Sequence, residues 1–102
     1  MREKRQHQRV GVRFQVLCLQ EGQPERVTFA KDISFGGMFV ELMPPPSFGT
    51  TLTFVVEGLA SRTLNLPATV RWTKPDGCGV QFGLLGAYET HAILDFIKKH
   101  KP

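Results

Sequence analysis

The sequence predicts an all-β domain, an antiparallel barrel or sandwich followed by one C-terminal helix, and three observations predict it. Apolar residues alternate with polar ones in six short segments, the period-2 signature of half-buried strands. Turn-forming clusters rich in Gly and Pro separate these segments, with no helical stretch between them, so strands pair through close connections. From Ala87 onward the apolar period becomes helical. A chain of 102 residues has room for one domain with a single modest core.

In the first strand Val10, Val12, Phe14, Val16 and Cys18 alternate with Gly11, Arg13, Gln15 and Leu17. A turn at Glu21-Gly22-Gln23-Pro24 leads to a second strand, where Val27, Phe29 and Ile33 are expected to share the inner face. Met38, Val40 and Leu42 mark the third strand. It stops at Pro44-Pro45-Pro46, which removes three backbone donors and fixes three φ angles. Leu52, Phe54 and Val56 give the fourth strand. Leu64, Leu66, Ala68, Val70 and Trp72 give a long fifth one, with Trp72 expected in the core. Pro67 within it points to an edge position or a bulge. The Lys74-Pro75-Asp76-Gly77 turn hands over to Val80 and Phe82 of the sixth, since Pro presets φ and Gly tolerates positive φ. The helix, over about 87–100, places Ile93, Phe96 and Ile97 on one face. Lys98, Lys99, His100 and Lys101 crowd its end, where the helix dipole favours cations. It is expected to plug an open end or to cover an edge strand.

Several function classes lose support at once. No apolar stretch reaches the roughly 18 residues that span a bilayer. The charged start Met1-Arg2-Glu3-Lys4-Arg5 has no apolar run behind it, so no signal peptide is expected, and a cytoplasmic location is. Cys18 and Cys78 lie far apart, outside any C-x-x-C, and with His7, His91 and His100 they give no metal spacing. Cys18 shares the inward phase of its strand and is expected to be a buried thiol. Ser34, Ser47 and Ser61 lack a G-x-S-x-G setting, and no histidine is beside a nucleophile in sequence. Catalysis, a cofactor and a metal are not expected.

Charge placement is more informative than total charge. Residues 1–13 hold five basic residues against one acid, whereas residues 14–102 hold eight of each. All of the formal +4 therefore belongs to the first 13 residues, a basic end on a neutral body, which suits an anionic partner met at one end. Two segments supply matching chemistry. Arg5 and Arg9 stand four residues apart, and each guanidinium can pair bidentately with a phosphate or with the O6 and N7 acceptors of a guanine. Asp32-Ile33-Ser34-Phe35-Gly36-Gly37 ends one strand and opens the next. Its carboxylate can accept from a guanine N–H edge, its hydroxyl and amides suit phosphate oxygens, and its glycines permit close backbone approach. Each segment also has a plainer reading, the first as a solubilising tail and the second as a hairpin with an Asx-type turn.

Taken together, Arg5-x-x-x-Arg9 before Val10-x-Val12, and Asp32-x-Ser34-x-x-Gly37 at the end of the second strand, resemble the PilZ domain family. Gly37-Met38-Phe39-Val40, Val70-x-Trp72 and Gly79-Val80-Gln81-Phe82 extend the likeness from Arg5 to the region of Ile97. Arg9-x-x-x-Arg13 offers a second register, but Arg13 already lies inside the alternating run and is expected to point outward.

The resemblance implies a six-stranded antiparallel β-barrel with a C-terminal α-helix, made of an arm over residues 1–9 and a barrel domain over 10–102. It implies a receptor or adaptor whose ligand is cyclic di-GMP, bound by Arg5, Arg9, Asp32, Ser34, Gly36 and Gly37. Lys4, Arg13, Arg71 and Trp72 are candidates for auxiliary contacts. A polar, cationic arm with little to bury suits a disorder-to-order switch, so ligand is expected to fold the arm over the barrel and signal to a downstream protein. One alternative is a small nucleic-acid-binding barrel, disfavoured because most strand aromatics are expected to face inward. The other is a PilZ-like scaffold acting only through protein contacts.

Overall fold

Alternation in the first strand does what its sequence requires: Val10, Val16 and Cys18 are buried while Gly11, Arg13 and Gln15 face solvent. In the computed structural model, which describes residues 9–100, this strand is β1 (Val10–Leu19). It is followed by β2 (Arg26–Ile33), β3 (Gly37–Val40), β4 (Thr51–Val56), β5 (Leu64–Lys74), β6 (Gly77–Phe82) and the helix α1 (Ala87–Lys99). All pairings are antiparallel, and the strands close into a barrel in the order β1-β2-β3-β6-β5-β4. The seam is short, with Leu17, Cys18 and Leu19 opposite Val55, Phe54 and Thr53. Closure leaves no edge strand for the helix to cover.

The inner face is continuous from Phe54, Val56, Leu64 and Leu66 through Ile33, Met38 and Val40 to Val70 and Val80. The helix seats Ala92, Ile93 and Ile97 in this same core, and Phe96 meets Phe14 of β1 edge-on at 5.8 Å between ring centroids. Ion pairing of Asp95 with Lys99 at 3.1 Å and the basic last turn favour its C-terminal end.

Two inward expectations fail, for one physical reason. Val27 and Phe29 face outward, and Thr28 and Ala30 take their place in the wall. Trp72 is 38% exposed rather than in the core. In each strand one extra residue breaks the alternation. Ala30 pairs with Val40 and Asp32 with Phe39, leaving Lys31 over; Val70 pairs with Val80 and Trp72 with Gly79, leaving Arg71 over. Such a β-bulge turns two consecutive residues to one side. Before it Ala30 and Val70 point inward; past it Lys31-Asp32 and Arg71-Trp72 all emerge on the outside. Thr28 is accommodated because its hydroxyl donates to the Glu41 carbonyl at 2.5 Å.

Pro67 is neither on an edge strand nor at the bulge. Its carbonyl accepts from the Gly83 amide at 2.8 Å, so its nitrogen also faces the β6 side, one step beyond the end of β6 at Phe82. The missing N–H forgoes only the reciprocal bond of this last pair, beyond the end of β6. The third strand ends at Val40, before the expected Leu42, although Leu42 remains buried.

Candidate functional site

The bulge in β2 sets the position of Asp32. Its Oδ1 accepts from the Phe39 amide across the hairpin at 3.2 Å and from Arg9 Nη1 at 2.5 Å. The two motifs, 23 residues apart in sequence, thus meet side chain to side chain on the outer wall. Both partners are about a quarter exposed, so the pair is open to an incoming ligand. Arg5 and Lys4 lie outside the described residues.

Ser34 serves the hairpin itself. It is buried, its hydroxyl donates to the Gly37 carbonyl at 3.3 Å and accepts from the Gly36 amide at 3.2 Å, and its amide donates to the Gly37 carbonyl at 2.8 Å. Gly37 lacks a side chain for a reason within the barrel. A Cβ there would collide with the Val80 carbonyl on β6, whatever its value to a ligand. Gly36 is half-buried, and its carbonyl accepts from the Phe82 amide at 2.8 Å. The hairpin is therefore built by the residues that the sequence marks as a binding motif.

Next to the Arg9–Asp32 pair lies an aromatic wall. Phe39 of β3 and Trp72 of β5 stack across the intervening β6, with centroids 5.3 Å apart and planes 28° off parallel. They can meet because the residue between them is Gly79, where a Cβ would strike the indole ring. Arg9 Cζ stands 6.0 Å from the Trp72 ring centre and Lys74 Nζ 5.4 Å from it; Lys31 Nζ is 5.5 Å from the Phe39 ring. Cations over aromatic faces are held by the ring quadrupole while remaining available to anions. Lys31 is also bonded to Asp76 on the β5–β6 turn at 3.2 Å, and that bond holds the Asp76 carboxyl below its ordinary value.

Of the auxiliary candidates among the described residues, only Trp72 joins this cluster. Arg13 points outward as expected, with its guanidinium 4.1 Å over the Phe29 ring and bonded to Glu41 at 3.0 Å. Arg71 lies 5.8 Å from the Phe48 ring. The expectation that most strand aromatics face inward holds for only half of them. Phe54 is in the core with Phe14 and Phe82 packed against it, whereas Phe29, Trp72 and Phe39 lie on the outer face, Phe39 only 4% exposed beneath its neighbours. Sequence reasoning did not single out Phe39, Gly79, Lys31 or Lys74. A glycine inside a strand was a usable signal at Gly79, because such a residue often marks close approach of another group.

Among the described residues, no group of three His, Cys, Asp or Glu side chains could hold a metal. No helix among them is long and apolar enough to cross a membrane. Cys18 and Cys78 are both buried free thiols. Burial pushes Cys78 up to about 11, with Cys18 adding to the shift, and raises Cys18 as well.

A closed barrel that carries charged and aromatic groups on its outer wall, on a rigid hairpin, has the make-up of a binding domain. The PilZ domain model matches residues 3–99, and the chain belongs to that family. No curated protein matches the sequence. The fold is similar to that of the inhibitor of motility MotI/DgrA of Bacillus subtilis, with a TM-score of 0.76 and 23% identity over 96% of this chain and 51% of that one. It is also similar to the PilZ domain of CeSA from a cellulose-synthesising bacterium, with a TM-score of 0.72, 16% identity and coverage of 90% and 96%. The PlzA protein of Borreliella burgdorferi in complex with c-di-GMP gives a TM-score of 0.70, 17% identity and coverage of 92% and 41%. The chain thus spans about half the length of MotI and less of PlzA.

Proposed function

We propose that this chain is a cytoplasmic cyclic di-GMP receptor that binds the ligand on the outer wall of its barrel and passes the signal to a downstream protein. One observation carries the reading: Arg9 and Asp32, drawn from two separate motifs, are brought into contact beside an exposed indole. Membership of the PilZ family supports it, as does the shared fold of PlzA, which was solved with c-di-GMP bound. In this reading Arg9 leaves Asp32 to take a phosphate or guanine acceptor, and Asp32 accepts from the guanine N–H edge. Trp72 offers the base a flat apolar face. Arg5 closes over the ligand from the arm, and ordering of that arm presents a new surface to the partner. Charge-assisted bonds of about 1.5–3 kcal/mol each are enough in combination to offset ordering a few residues at about 1–2 kcal/mol apiece.

The accessible Trp72 and Phe29 rings favour a second reading, a small barrel that binds single-stranded nucleic acid by stacking. Calorimetric titration with cyclic di-GMP, GTP and a short single-stranded DNA separates the two. The receptor reading requires saturable binding of cyclic di-GMP and no comparable heat from GTP or DNA. Preference for the oligonucleotide, with steep weakening by salt, would establish the rival instead. Following the NMR signals of residues 1–8 in the same titration tests the ordering of the arm.

A further inference from the structure

The receptor reading accounts for Arg9, Asp32 and Trp72, but it leaves a second charged group on the same wall without a role. Lys31 comes from the residue that the β2 bulge turns outward, and Lys74 from the end of β5. They flank the Phe39–Trp72 stack, Lys31 beside Phe39 and Lys74 beside Trp72. Arg9 approaches the same indole. An anion facing this wall therefore meets three cations and two carboxylates, Asp32 and Asp76. In the free protein each carboxylate holds one cation, Asp32 pairing with Arg9 and Asp76 with Lys31. Lys74 has no ion pair among the described residues.

The two pairs have the same logic on different elements. A cyclic dinucleotide carries two phosphates, and Lys31 and Lys74 bring further positive charge to the same wall as Arg9. We infer that Lys31 and Lys74 form a second phosphate contact of the ligand site, and that Asp76 sets its strength by competing for Lys31. This rests on the receptor reading above and adds to it a specificity element outside both sequence motifs. Lys31 is about half exposed and Asp76 more so, so exchanging the carboxylate for a phosphate needs no rearrangement of the barrel. Asp76 is confined to the turn by Lys74-Pro75 before it and Gly77 after it. Its carboxylate therefore stays within reach of the wall.

Calorimetry with cyclic di-GMP on the whole chain, at several NaCl concentrations, tests this. Lys31→Met and Lys74→Met keep the apolar stems that lie against the rings and remove only the charge. Each is expected to weaken binding about tenfold and to flatten the salt dependence, as loss of a charge-assisted phosphate contact does. Asp76→Asn keeps a good turn residue and is expected to tighten binding severalfold. If both lysine variants bind within twofold of wild type while Arg9→Ala abolishes binding, the second contact is overturned and the receptor reading stands. Asp76→Asn binding no tighter than wild type overturns the competition. Wild type failing to bind cyclic di-GMP overturns both.

Discussion

Trp72 lies flat across the backbone of Gly79, in space that any side chain on Gly79 would fill. The indole is thereby fixed against β6 on one side and Phe39 on another, and it presents its remaining surface outward. Gly79→Ala is expected to displace the ring and disrupt the stack, at a cost of about 1–3 kcal/mol for overpacking a filled site. Trp72 is the only tryptophan in the chain, so its fluorescence reports the displacement directly while urea unfolding measures the cost. An emission spectrum like that of wild type would contradict the packing.

Arg9→Ala and Asp32→Ala are expected to separate binding from stability. The pair is part-exposed, and such ion pairs contribute about 0–1 kcal/mol. Asp32 also accepts the Phe39 amide, so its loss costs about another 1 kcal/mol. Both variants should melt within a few degrees of wild type and lose micromolar binding of cyclic di-GMP in calorimetry. Retained affinity in either would remove that residue from the site.

Ser34→Ala and Gly37→Ala should behave in the opposite manner. Ser34 ties the hairpin together with buried hydrogen bonds, worth about 0.5–1.5 kcal/mol each. An added Cβ at position 37 meets backbone that cannot move aside cheaply. Urea unfolding should show both variants destabilised before any ligand is added, Gly37→Ala the more so. A stable Gly37→Ala protein would refute the packing role.

Alkaline pH gives a further test. Both thiols are raised by burial, Cys78 to about 11. A raised pKa means that the unfolded chain releases its protons first. The stability gained by keeping the thiols neutral is complete below the unfolded value of about 8.5. It is lost as pH rises through the folded one. Urea midpoints should therefore fall between pH 9 and 11, and Cys78→Val should flatten the decline. An unchanged slope in that variant would assign the loss to other groups.

β4 was legible in sequence down to its buried residues, as was the helix by its Ile93, Phe96 and Ile97 face. β1 kept its alternation, although its register against β2 shifts between Gly11 and Phe14, and Val12 and Phe14 are only half-buried. The second and fifth were legible as strands but not in phase. A bulge inserts one residue without leaving a composition signal, and the side chains beyond it change face. That is why Val27 and Phe29 were assigned to the core and why Trp72 was placed inside. At the site, Arg9 and Asp32 could be found from motif spacing. Phe39, Lys31 and Lys74 could not, and Gly79 showed only as a glycine within a strand, because what joins them is cross-strand register between β2, β3, β6 and β5. Local sequence does not encode which residues will be opposite one another.

Lys31 and Arg71 are the supernumerary residues of the two bulges, and Asp32 and Trp72 are the residues immediately after them. Removing either extra residue would let regular pairing with β3 or β6 resume and rotate the next side chain towards the barrel interior, although β1 already carries one residue more than β2 between Gly11 and Phe14. The surface is thus guarded less by the identity of its side chains than by chain length in these two strands. Substitutions can tune it gradually, whereas a one-residue deletion at either point would turn the wall inside out.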